Sequence, residues 1–122
     1  MLPAAARMRR SAEFSSAVRG ARAAAPSLVL HARTGGSDQA RVGFVVGRAV
    51  GSAVVRNRVR RRLRHLVAAR LDRLPPGAHV VVRATPAAGS HSFAELGDDL
   101  DRVLGPALDR AARRDAVAEH PA

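Results

Sequence analysis

Residues 53–74 read as an amphipathic helix, and that helix constrains the rest of the chain. On a helical wheel Val59, Leu63, Leu66, Val67 and Leu74 fall on one side, with Leu71 at its edge. Arg58, Arg61, Arg64 and His65 fall opposite, and Arg60 and Arg62 flank the boundary. A stripe of this width must dock on an apolar layer. Ser52 is placed to cap the helix start, and Pro75-Pro76-Gly77 ends it by removing backbone donors and offering a turn. The fold is therefore expected to supply a partner layer for a helix running to about Leu71–Leu74.

The flanking segments supply that layer. Leu28 and Leu30 alternate with Val29 and His31 within residues 27–33, a strand pattern. Residues 41–48, RVGFVVGR, are apolar on both sides and read as a central strand. Residues 78–84, AHVVVRA, form a third strand, and residues 20–27 leave room for a short fourth. Ser11 opens a short helix ended by Gly20, with Phe14, Ala17 and Val18 on one side. Ser92 and Glu95 make a capping box ahead of Phe93, Leu96, Leu100, Val103, Leu104 and Leu108. Gly105-Pro106 is expected to kink that last helix. The order predicts a two-layer α/β sandwich, with helices on one face of a small mixed sheet and the other face open. At 122 residues the chain fits one domain, able to bury roughly two thirds of its unfolded surface. Its parts are expected to be a basic N-terminal segment (1–10), the α/β domain (11–113) and a frayed tail (114–122).

Charge narrows the function. The formal net charge is +11, and every one of the 21 basic residues counted as Lys or Arg is Arg. A domain this basic meets a polyanion, either nucleic acid or an anionic membrane surface. Between Gln39 and Leu71 there are nine arginines and no acid. Solvated helix faces ordinarily mix signs in i,i+4 pairs, and like charges at that spacing cost a few tenths of a kcal/mol each. A one-signed run makes sense if an external anion neutralises it. A membrane-surface helix would carry Trp or Phe at its apolar edge, and this one has neither. No apolar run approaches a membrane span, and with no cysteine a reducing, cytoplasmic setting is expected. Asn57, set between two arginines, could bond a base edge or a backbone. At this level the ligand could still be DNA or RNA.

Other constellations read as structural. Gly43, Gly47 and Gly51 recur every four residues but lack the Lys-Ser/Thr of a phosphate-binding loop, so close backbone approach and a tight turn are expected of them. The five histidines share no spacing that suggests paired acid–base catalysis. Asp98, Asp99 and Asp101 point in different directions on a helix, in its first half where the dipole favours acids, so no metal site is expected there.

The segment RVGFVVGRAVGSAVVRNRVRRRLRHLV resembles the signature of the protein subunit of bacterial ribonuclease P. In that family a strand carrying RxG precedes a Ser-Lys-Lys-like turn, then GNAV, then an RNR helix. The flanks ARMRRSAEF and AHVVVRATPAA resemble the family's first helix and last strand, so the resemblance spans about Arg7 to Ala87. It implies an αβββαβα sandwich with a left-handed βαβ crossover, against the right-handed rule for such units. It also implies a division of labour. The RNA subunit is the catalyst, acting with Mg²⁺ that it mainly binds itself, and the protein clamps the 5′ leader of precursor tRNA between its first helix and the sheet. One protein per RNA subunit is expected.

Carried onto this sequence, the resemblance makes Arg56, Asn57, Arg58, Arg60, Arg61, Arg62 and Arg64, with Arg48, the contacts to the catalytic RNA. Phe14, Val18, Leu28, His31 and Arg9 would line the leader cleft. The chain departs from the family pattern at the turn, which is Gly47-Arg48-Ala49, and at Ser52, which stands for the Asn of GNA. Val18, Leu28 and His31 occupy positions that are often aromatic. Base stacking on an aromatic ring contributes about 1–3 kcal/mol per base, so leader grip is expected to lean on arginine stacking and backbone contacts. The alternatives are a general RNA-binding or ribosome-associated protein and, more distantly, a self-sufficient nuclease.

Overall fold

The computed structural model describes residues 2–8, 10–36 and 39–119. Three helices and four strands follow in the order α1 (Ser11–Val18), β1 (Ala21–Ala24), β2 (Leu28–Arg33), β3 (Arg41–Val45), α2 (Ala53–Ala68), β4 (His79–Ala84) and α3 (Phe93–Glu119). β1 is the short fourth strand for which residues 20–27 left room. The sheet order is β1-β2-β4-β3. The β1–β2 and β2–β4 pairs are antiparallel, whereas β3 and β4 run parallel and are joined through α2.

The register sorts every strand residue onto one of two faces. Ala23, Leu30, Val82 and Phe44 share one row, and Ala21, Ala32, Val80 and Val42 share the next. These rows meet Val59, Leu63, Leu66 and Val67 of α2 and Leu96, Leu100, Val103, Leu104 and Ala107 of α3, forming the main core. The opposite face carries Arg22, His31, Val81 and Gly43 in one row and Val29, Arg83 and Val45 in another. α1 packs there, in a small second cluster of Met8, Phe14, Ala17 and Val81. The helices thus divide between the two faces instead of sharing one. The face expected to be open is partly roofed by α1.

Four further expectations are corrected. β3 is not central. It lies at the end of the four-stranded order, and the N-terminal segment covers its free side through a parallel bridge from Arg7 to Val42 and a hydrogen bond from the Met8 N–H to the Val42 carbonyl. That cover explains its two-sided apolar pattern. The same segment buries Leu2, Ala6 and Met8, so residues 2–8 are part of the domain. α2 ends at Ala68, and Leu71–Arg73 form a separate 3-10 turn. α3 continues through Pro106 to Glu119, so residues 114–119 are helix; the last three expected tail residues lie outside the described residues.

Local signals explain the helix starts. The Ser52 hydroxyl accepts from the Val55 N–H at 3.3 Å. At α3 the Glu95 carboxylate accepts from the Ser92 N–H at 2.8 Å, and the Ser92 hydroxyl accepts from the Glu95 N–H at 3.1 Å, the capping box read from the sequence. These hydrogen bonds hold the Glu95 carboxyl below the usual carboxylate range. α1 starts one residue earlier than Ser11 as cap would require: Arg10 is the cap, and its N–H donates to Glu13 at 3.2 Å.

Candidate nucleic-acid interface

The arginines of α2 are held in three different ways. Arg58 donates from Nη2 to the Gly89 carbonyl at 3.2 Å, and Arg62 from Nη1 to the His91 carbonyl at 3.2 Å. Both tie α2 to the segment that enters α3. Arg60 donates to the Asn57 side-chain oxygen at 3.0 Å and reaches the Val46 carbonyl at 3.5 Å, tying the helix back to the end of β3. Arg61 and Asn57 are exposed, while Arg56 and Arg64 are half-buried. Arg48 is exposed in the 3-10 turn Arg48–Val50 between β3 and α2.

Among the described residues, Arg48, Arg56, Arg58, Arg60, Arg61, Arg62 and Arg64 have no carboxylate within ion-pair distance; the ion pairs lie elsewhere. The carbonyl anchors fix several guanidinium groups without cancelling their charge. Farther along the same helix pair the chemistry is the reverse. Arg70 donates to both Asp101 oxygens at 2.7 and 3.0 Å, and Arg73 donates to the same carboxylate at 2.8 Å. Hydrogen bonds from Arg70 hold the Asp101 carboxyl below its ordinary range. Asp99, buried, accepts from the N–H and hydroxyl of Ser27 at 3.0 and 2.5 Å. Asp99 and Asp101 are thus absorbed in folding contacts away from the uncompensated arginines.

The second feature is the face of the sheet on which α1 packs, where the leader cleft is expected. Gly43 lies under α1, and a Cβ there would collide with the Phe14 ring and press on the Met8 sulfur at 3.0 Å. The absent side chain lets Phe14 sit directly on the sheet. Gly51 fulfils the other expectation, a turn, with φ +152° ahead of the Ser52 cap. Phe14 is half-buried, Val18 is 47% exposed, and His31 is buried at the cleft floor. Burial lowers the His31 pKa below 6.5, and Arg83 and Arg22 lower it further; a hydrogen bond to the Val18 backbone opposes them. Among the described residues, the His31 Nδ1 atom has no hydrogen-bond partner.

Leu28 is not in this cleft. It is fully buried in the main core on the opposite face of the sheet. Residues 28 and 31 are an odd number apart, so a strand turns them to opposite faces; the correction was readable from the strand period. Arg9 lies outside the described residues. The cleft face instead presents Arg22, Arg83 and Val45, all exposed. Alternation within β4 points from Val81 to Arg83, whereas Arg22 and Val45 lie on other strands and come to this face only through the pairing register. Arg48 follows Val45 in the chain by three residues, so the positive surface continues from the cleft around the end of β3 to α2.

Three comparisons agree on kinship. The family model Ribonuclease P matches residues 2–108. The chain is 51% identical over 123 aligned residues to the ribonuclease P protein component of Streptomyces bikiniensis, covering 93% of this chain and all of that one. It is 53% identical over 108 residues to that of Acidothermus cellulolyticus, covering 86% and 90%. Among solved structures it is similar to a Staphylococcus aureus RNase P protein mutant with defective mRNA degradation activity (TM-score 0.77, 25% identity, 84% of this chain and 88% of that one). It is also similar to the RNase P protein from Thermotoga maritima (TM-score 0.68, 25% identity, 79% and 92%).

Proposed function

The chain belongs to the ribonuclease P protein family, and from that premise we propose that it binds the catalytic RNA through α2 and the 5′ leader of precursor tRNA through the cleft beside α1. The observation that carries the proposal is the run of anchored arginines without carboxylate partners on α2. Arg forks pair with phosphate oxygens and stack on bases. Helix arginines held by backbone carbonyls have already given up part of their conformational freedom, so less is lost on binding.

In this reading Arg48, Arg56, Asn57, Arg58, Arg60, Arg61, Arg62 and Arg64 face the catalytic RNA. Phe14, Val18, His31, Arg22, Arg83 and Val45 face the leader. The missing aromatic rings at Val18 and His31 shift leader binding toward phosphate contacts by Arg22 and Arg83. Hydrolysis belongs to the RNA subunit with its Mg²⁺, one protein serves one RNA, and the protein offsets phosphate repulsion between leader and catalyst. No described helix is long and apolar enough to cross a membrane. In this reading the complex works in the cytoplasm, a reducing setting that suits a chain without cysteine.

Reconstitution tests this. Purified protein alone should not cut precursor tRNA, whereas a ribonuclease P RNA at low Mg²⁺ should cut it faster when the protein is added. Precursor should also bind more tightly than mature tRNA. Cleavage by the protein alone would support a nuclease instead; RNA binding without stimulation would support a general RNA-binding role.

A further inference from the structure

One side chain on the basic surface is out of place. Phe93, the first residue of α3, is 42% exposed. The other two phenylalanines are half-buried against apolar clusters. Phe93 stands beside His65 of α2, itself exposed, with ring centroids 6.0 Å apart and planes inclined at 64°. On α2, Val54, Arg58, Arg61 and His65 occupy positions i, i+4, i+7 and i+11, one continuous stripe of the helix surface. Val54 at the far end of that stripe is 75% exposed. The stripe therefore sets apolar and ring surface at both ends of two arginines.

The ring pair is held in place. Arg62, next to Arg61, is bonded to the His91 carbonyl two residues before Phe93, and Arg58 to the Gly89 carbonyl. The acid in the first turn of α3, Glu95, is turned back onto the Ser92 N–H. On the α2 side the surroundings of the rings are cationic, because among the described residues Arg58, Arg61 and Arg62 have no carboxylate within ion-pair distance. An apolar protein surface laid here would desolvate arginines that have no counter-charge. A nucleotide brings both a π-face for the rings and a phosphate for the guanidinium groups.

We propose that Phe93 and His65 form a stacking site for an unpaired base of the RNA subunit, with Arg58 and Arg61 on the adjoining phosphates. This rests on the RNA-binding reading of α2 and adds an aromatic base contact to its arginine contacts. The two kinds of contact differ in salt dependence. Phosphate neutralisation releases counterions and sets the slope of log K against log salt, whereas stacking does not.

The test measures affinity for a ribonuclease P RNA between about 50 and 200 mM salt, with wild type, Phe93→Leu, Phe93→Trp and Arg61→Ala. Leucine keeps the apolar packing of the helix start without a ring. Phe93→Leu should weaken binding roughly tenfold, within the range for one stacked base, by the same factor at every salt concentration. Phe93→Trp should bind at least as well as wild type, and chemical probing should show one unpaired base that loses protection only in the leucine variant. Melting temperatures of all variants separate binding loss from misfolding. Wild-type affinity in Phe93→Leu would overturn the stacking site while leaving the role of α2 intact, provided Arg61→Ala still flattens the slope. Failure of the wild-type protein to bind the RNA would remove both. Self-association that disappears in Phe93→Leu with RNA affinity unchanged would reassign the patch to a protein–protein contact.

Discussion

His31 shows how one buried side chain couples the cleft to pH. Its folded-state pKa lies below 6.5 because burial and the nearby Arg83 and Arg22 charges disfavour the imidazolium. In the unfolded chain the ring titrates near the ordinary value of about 6.5. Below that pH the unfolded state binds more protons than the folded state, so stability falls with pH once the unfolded-state pKa is passed. The loss is complete only below the depressed folded pKa. Replacing the ring with an uncharged amide removes this contribution. His31→Gln should therefore lose less melting temperature than wild type between about pH 7.5 and 5.5, a window that spans the reference His pKa. Thermal unfolding across that window checks it, and parallel curves for the two proteins would show that His31 does not titrate differently on folding. Anion binding in the cleft should act oppositely, since a phosphate near His31 favours the charged ring.

α2 is the element in which folding and binding are hardest to separate. Arg62 anchors the segment entering α3, while Arg61 is exposed and makes no such contact. Both should contribute to RNA affinity, but only one should contribute to the fold. Arg61→Ala should flatten the salt slope of RNA binding by about 0.7–0.9 and leave stability within about 0.5 kcal/mol of wild type. Arg62→Ala should weaken RNA binding too. It should also cost roughly 1 kcal/mol through the His91 carbonyl it leaves behind, seen as faster amide exchange around residues 86–92. Equal stability of the two variants would mean that the Arg62 anchor contributes nothing measurable.

The apolar stripe of this element was legible because helix period is a local property: Val59, Leu63, Leu66 and Val67 are the four buried residues of α2. The place of β3 was not. Its two-sided apolar pattern comes from the N-terminal segment laid against it, a pairing between residues 7 and 42 that no local window contains. Leu28 failed for another reason. The resemblance aligns it with a cleft position, but strand alternation with His31 turns it to the opposite face, into the main core.

For the whole molecule the governing quantity is the charge of +11. An excess of one sign destabilises the compact state by self-repulsion, and salt screens it. The same salt competes with phosphate binding. Free protein and complex should therefore respond to salt with opposite signs. Raising potassium chloride from about 50 to 200 mM, an interval over which a protein with 6–10 phosphate contacts loses roughly 10³–10⁵ in affinity, should raise the melting temperature of the free protein. The stabilisation conferred by a fixed excess of RNA should shrink over the same interval. At 100 times the dissociation constant that stabilisation is about 2.7 kcal/mol, and it declines by mass action as the constant rises. Two melting series, with and without RNA, should converge as salt increases. A free protein whose melting temperature falls with salt would show instead that its ion pairs, the Arg70–Asp101–Arg73 cluster foremost, outweigh the repulsion among its unpaired arginines.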